Sequence, residues 1–166
     1  VIEYELSKLV TPDGKRILAE GIHLKIKGSE KICMIGANGA GKTTLLKKIA
    51  EELLNRNDIK AEYMPQTYED LLDLDVTPVD YLDKTGDKEE RTRIRTYLGS
   101  LKYTPDEMEH PIRELSGGQK AKVLLLRMSL SGANVLILDE PTRGVDVGAK
   151  SEIYEYCNML AAQGIA

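Results

Sequence analysis

The sequence contains no phenylalanine and no tryptophan, so its 8 tyrosines supply all of the aromatic surface. Two cysteines, Cys33 and Cys157, are too few for a disulfide-stapled scaffold. Both fall on apolar faces of expected elements and read as buried thiols in a reducing compartment. Apolar runs are short, Val123 to Leu126 and Val135 to Leu138 being typical, and none can cross a bilayer. No secretory signal pattern opens the sequence, and the expectation is a cytoplasmic protein without membrane insertion. A net charge of -4 gives no general attraction to nucleic acid or acidic lipid. The 42% hydrophobic and 30% charged residues describe an ordinary globular balance, and 166 residues fit one domain with a substantial core.

Periodicity predicts an α/β arrangement. A strand is expected over Ile2 to Leu9, then a type I turn at Thr11-Pro12-Asp13-Gly14, where proline and glycine take their favoured positions. Further strands are expected at Ile22 to Lys27 and at Lys31 to Ile35. The second is apolar on both faces, as a central parallel strand is. A glycine-rich loop leads into a helix from Lys42 to Leu54, with Leu45, Leu46, Ile49 and Leu53 on one face. A short strand runs from Ile59 to Met64. Residues 70 to 115 are polar, helical in pattern and punctuated by Pro78, Pro105 and Pro111; they are expected to form a small helical lobe inserted in one α/β domain spanning 1–166. Ser116 caps an apolar helix ending near Ser131-Gly132, Val135 to Leu138 is a buried parallel strand, Asp146 caps a last helix, and Gly164 ends it.

Gly36-Ala37-Asn38-Gly39-Ala40-Gly41-Lys42-Thr43 fits the phosphate-loop pattern in full, between an expected strand and an expected helix. Glycines let backbone N–H groups approach phosphates, and the helix N-terminus adds unsatisfied donors and its dipole. Lys42 would neutralise β- and γ-phosphate charge, Thr43 would ligate Mg²⁺, and Thr44 extends the cradle. Asp139 and Glu140 end the apolar strand; Asp139 suits Mg²⁺, through water, and Glu140 suits a general base for an attacking water. Leu115-Ser116-Gly117-Gly118-Gln119 is a second anion site at a helix start. One triphosphate does not need two such sites in one chain, which points to a partner copy.

The ordered set of phosphate loop, Gln66 after a strand, Leu115-Ser116-Gly117-Gly118-Gln119, and Asp139-Glu140-Pro141-Thr142 resembles the ATP-binding cassette family. The resemblance implies a nucleoside triphosphatase fold with a mainly parallel sheet, an N-terminal antiparallel β part and a helical lobe. It implies an ATPase with ATP and Mg²⁺ as ligands. It makes Gln66 a glutamine that senses Mg²⁺ and Asp146 the aspartate that crosses a dimer interface. It also implies a second nucleotide-binding domain, from the same or another chain, enclosing ATP head to tail. Residues 1–142 resemble the second cassette of soluble ABC-F proteins, which act on ribosomes. Residues 141–166 resemble sugar-importer cassettes, which serve a transporter membrane subunit. A truncated or chimeric scaffold with little turnover is the third reading.

Two departures from the family pattern stand out. The aromatic residue that stacks on adenine has its place near Leu9 or Val10, with Tyr4 as a possible substitute. The switch histidine belongs after the next strand, so the final strand and that histidine are expected to be missing here, leaving an open sheet edge and slow hydrolysis. His23 and His110 are expected to be structural or solvated. Arg91, Arg93 and Arg95 read as a solvated helix face rather than an RNA contact.

Overall fold

All residues from Val1 to Ala166 are described in a computed structural model. The turn at Thr11 to Gly14 folds as its residues dictate. The Thr11 carbonyl accepts the Gly14 N–H at 2.7 Å, and Gly14 takes a φ of 71° that a β-carbon would oppose. It joins β1 (Ile2–Val10) to β2 (Ile17–Ile26) as an antiparallel hairpin in the register Ile2↔Ile26 to Leu9↔Ala19. β2 therefore begins five residues ahead of the expected strand at Ile22. One face carries Tyr4, Leu6 and Leu24; the other pairs Glu3 with Lys25 and Glu5 with His23 across the strands.

The segment from Lys31 to Ile35, expected to be a central strand, forms no ladder. Ile32, Met34 and Ile35 are exposed, and Cys33 is exposed rather than buried. The parallel sheet consists of β3 (Ala61–Met64) and β4 (Val135–Leu138), in register Ala61↔Val135 to Met64↔Leu138. Asn134 pins the start of the pair: its side-chain oxygen accepts the Lys60 N–H at 3.1 Å, which explains why β3 begins after Ile59. On the other edge of β4, Leu136 N–H donates to the Ala166 carbonyl at 2.7 Å and Ala166 N–H donates to the Asn134 carbonyl at 2.9 Å. That stretch of β4 is covered by Ala166 rather than bare.

The chain divides into two compact units. The first comprises 1–64, 132–139 and 157–166. Its core joins Tyr4 of the hairpin, Ile49, Ala50 and Leu53 of α1 (Lys42–Leu54), and Val135 and Ile137 of β4. Burial of the Ile, Leu and Val side chains among these contributes about 1.5–3 kcal/mol each, before the entropy they lose. Cys157 is partly buried there, and burial raises its thiol pKa.

The second unit comprises 65–131 and 140–156. Its helices start where the sequence places caps. Thr77 accepts from Asp80 N–H at 3.2 Å at the start of α2 (Pro78–Leu82). Thr104 and Glu107 form a reciprocal capping box at α4 (Pro105–Glu109), with proline in the first turn of both helices. Between them α3 (Lys88–Ser100) buries Ile94 and Leu98. Arg91 pairs with Asp80 at 2.9 Å and Asp83 at 2.7 Å, and Arg95 pairs with Glu109 at 2.8 Å. These arginines are answered by the unit's own carboxylates. The apolar helix α5 (Gly117–Leu130) buries Val123, Leu124, Leu125 and Met128, and Ile153 of α6 (Val147–Ala162) is also fully buried. No helix is long and apolar enough to cross a membrane.

Candidate functional site

The phosphate-loop residues stand in the first unit. Gly39 has a φ of 80° and Gly41 a φ of 102°, so the loop needs glycine at both places. Gly41 is also the N-cap of α1, and a β-carbon there would meet Leu18 Cδ1 at 2.8 Å. The start of β2 thus lies against the end of the loop. The Lys42 ammonium folds back over the loop and donates to the carbonyls of Gly36 and, at 3.0 Å, Ala37. Ala40 N–H donates to Ala37 O at 3.1 Å, which keeps Ala37-Asn38-Gly39-Ala40 a tight turn. Thr43 and Thr44 occupy the first turn of α1, both half-buried. The geometry is a glycine-rich turn that ends on a helix N-terminus with a lysine beside it, a combination that suits a polyphosphate.

Asp139 closes β4 in the same unit. It is 2% exposed, and its N–H extends the parallel ladder to Met64 O at 2.9 Å. Burial, and then the nearby Asp139 charge, raise the Tyr63 phenol above its ordinary pKa. A carboxylate removed from water in this way is suited to a cation's surroundings.

Gln66, Ser116 to Gln119, Glu140 and Asp146 belong to the second unit. Ser116 is exposed, and its hydroxyl accepts the Gln119 N–H at 3.2 Å, the expected cap. Gly117 is half-buried and Gly118 buried. Gln119 points into the unit instead of outward, donating to Glu107 Oε2 at 3.1 Å and Lys102 O at 3.4 Å. Asp146 caps α6 through Ala149 N–H at 2.9 Å, as its position predicts. Glu140 holds a φ of 50°, a conformation that side chains rarely adopt and that concentrates at functional sites.

Several residues here escape sequence reasoning. The hydroxyls of Tyr68 and Tyr103 donate to the carbonyls of Gly117 and Gln119, bracing the turn that opens α5. Deep burial pushes the Tyr103 phenol far above its usual range. Arg143 donates to Gln66 Oε1 at 2.8 Å and stands 3.9 Å from Glu140 Oε2. Arg16, on the hairpin, donates to the phosphate-loop carbonyl of Gly39 at 3.4 Å. Tyr4 is 4% exposed and packed on α1, and Leu9 is 3% exposed, so neither offers a face to a base. His23 faces Glu5 at 3.6 Å on the hairpin surface, and His110 binds the Asp106 carbonyl at 2.7 Å, which raises its pKa.

Residues 19–143 match the ABC transporter family. The chain belongs to that family. Its nucleotide-binding domains are ATPases. Among curated relatives, the Probable ATP-binding protein YheS of Escherichia coli (strain K12) is 31% identical over 91% of this chain and 25% of its own length. The ABC transporter F family member 5 of Arabidopsis thaliana is 30% identical over 91% of this chain and 23% of its own. The Zinc import ATP-binding protein ZnuC of Hydrogenovibrio crunogenus is 30% identical over 89% of this chain and 63% of its own. The chain thus spans about a quarter of the length of the first two of these relatives. The fold is similar to that of the ATP-binding cassette MJ0796 in a dimeric post-hydrolysis state bound to ADP and Pi, with a TM-score of 0.75, 19% identity, and coverage of 99% of this chain and 85% of that one.

Proposed function

We propose that this cassette binds Mg-ATP on Gly36 to Thr44 and hydrolyses it as one half of a head-to-tail pair within an F-type factor that works on ribosomes. The carrying observation is the loop itself, with glycine at the two positive-φ positions and the lysine over its carbonyls. Lys42 would leave the loop carbonyls for the β- and γ-phosphates, an exchange of weak acceptors for a charged one. Thr43 and Asp139 would hold Mg²⁺, which neutralises phosphate charge when bound; Gln66 would be its third contact. Glu140 would orient and deprotonate the attacking water. Ser116 and Gly117 would offer donors to the γ-phosphate held by a second nucleotide-binding domain, with Asp146 near that junction. Gln119 would support the turn from inside.

The F-type assignment is supported by 30% identity to the ABC transporter F family member 5 over 91% of the chain. A motor subunit of a membrane transporter is the second reading, favoured by the ZnuC relative, of which the matching region covers 63%. Calorimetry with Mg-ATP tests the common core. Lys42→Ala is expected to lose most affinity, and equal binding by both proteins refutes the site. Light scattering tests the pairing: Ser116→Arg is expected to bind nucleotide yet fail to dimerise with it.

A further inference from the structure

Two residues given separate tasks above share one side chain. Arg143 Nη1 donates to Gln66 Oε1 at 2.8 Å, and the same nitrogen lies 3.9 Å from Glu140 Oε2. The arrangement is built in locally. Arg143 N–H donates to Glu140 O at 3.0 Å, closing a turn over 140–143, and Glu140 enters that turn with its φ of 50°. A guanidinium is a planar fork of donors that can face an amide oxygen and a carboxylate together; an ammonium lacks that fixed fork.

We propose that Arg143 is a positioning residue that parks Gln66, competing with the divalent cation for the Gln66 amide oxygen. This rests on the reading of Gln66 as a cation contact given above. A cation at Oε1 would lie close to the guanidinium charge, and like charges at that range repel. The cation therefore reaches Gln66 only as Arg143 lets go. Glu140 keeps the released guanidinium within reach and favours recapture. The side chains of Arg143 and Glu140 are 60% and 41% exposed. Such a bridge is weak and reversible, which suits a residue that tunes cation demand rather than blocking the site.

The experiment has two arms. In nucleotide-free, ¹⁵N-labelled protein, Arg143→Ala is expected to shift the Gln66 side-chain amide resonances, and Arg143→Lys to shift them less. An unmoved Gln66 amide in Arg143→Ala overturns the proposal. In the second arm, binding of the fluorescent N-methylanthraniloyl analogue of ATP is followed against Mg²⁺. The Mg²⁺ concentration for half-saturation is expected to fall about three- to fivefold in Arg143→Ala, with Arg143→Lys between that variant and wild type. An unchanged or higher requirement refutes Arg143 alone, provided wild type binds the analogue. A wild type that binds none at any Mg²⁺ refutes the nucleotide reading and this proposal with it. Thermal melts of both variants exclude a folding defect as the cause of either change.

Discussion

Gly118→Ala should strain the start of α5 from within. A β-carbon at Gly118 would lie 2.6 Å from Ala149 Cβ and 3.5 Å from Val145 Cγ1. Carbon atoms rest at about 3.5–4.0 Å, so the first contact demands about 1 Å of separation. Ala149 Cβ is bonded to the α6 backbone and has no rotamer to escape into. The helices themselves must part, and overpacking of this kind costs about 1–3 kcal/mol. Alanine is the better helix former by up to about 1 kcal/mol, which offsets part of the cost. The net expectation is a loss of about 1–2 kcal/mol, or about 2–8 °C in Tm for a domain of this size. Gly117→Ala is the internal control. Its β-carbon would meet Gly144 O at 3.5 Å and Val145 Cγ2 at 3.9 Å, ordinary contacts that cost little. Ala149→Gly should rescue Gly118→Ala, because it removes the atom struck. In thermal and urea denaturation the double variant should therefore be more stable than the sum of its single changes predicts. If Gly118→Ala melts with wild type, or the two changes simply add, the packing argument is wrong.

Lys122 is 3% exposed and holds Glu152 as well as the Leu101 carbonyl, so Lys122→Met should cost about 2 kcal/mol by leaving a half-covered carboxylate with Lys102 alone. The hydrogen bond from Lys122, then that from Lys102, holds Glu152 below the usual carboxylate pKa. Its stabilising contribution is complete above about pH 4.3 and is lost as pH falls through the depressed value, so wild type should lose stability on acidification more steeply than Lys122→Met. A parallel pH dependence of the two melts would remove Glu152 from that account. Tyr4→Ala should cost about 3 kcal/mol by opening a cavity against α1, while the folded variant keeps its ATP affinity; a selective loss of affinity would restore Tyr4 as a base contact.

The legible parts of the sequence were those where one residue type has one physical use. The α1 and β4 boundaries follow from the pattern, because Gly41 ends the loop in a conformation few other residues adopt and Val135 to Leu138 is an unbroken apolar run. The Ser116 and Asp146 caps are equally local. The segment Lys31 to Ile35 shows the limit. Its apolar residues say that both faces want cover, but a ladder is a property of two segments, and none pairs with this one. Tyr4 could have been excluded from stacking by strand alternation, since it shares the inward face of β1 with Leu6 and opposes Leu24. No local pattern announces Arg143, Tyr68 or Tyr103. Their hydrogen-bond partners Gln66, Gly117 and Gln119 lie 77, 49 and 16 residues away, and only tertiary structure brings them together.

Ser116-Gly117-Gly118-Gln119 reads in sequence as one outward-facing anion site, and the structure separates it into parts with different causes. Gly118 is glycine because Ala149 occupies the space a β-carbon would need, and Gln119 is turned inward onto Glu107 and Lys102. Internal packing therefore accounts for both without any ligand. It does not account for Gly117, which has a negative φ and only ordinary contacts around a built β-carbon. It accounts for Ser116 in part, since its hydroxyl caps α5 through the Gln119 N–H while the residue stays exposed. A glycine that neither backbone conformation nor neighbouring atoms require leaves room for a partner group, in keeping with the pairing proposed above. Substitutions at Ser116 and Gly117 should then tell on nucleotide-dependent pairing, while Gly118 and Gln119 should tell first on stability.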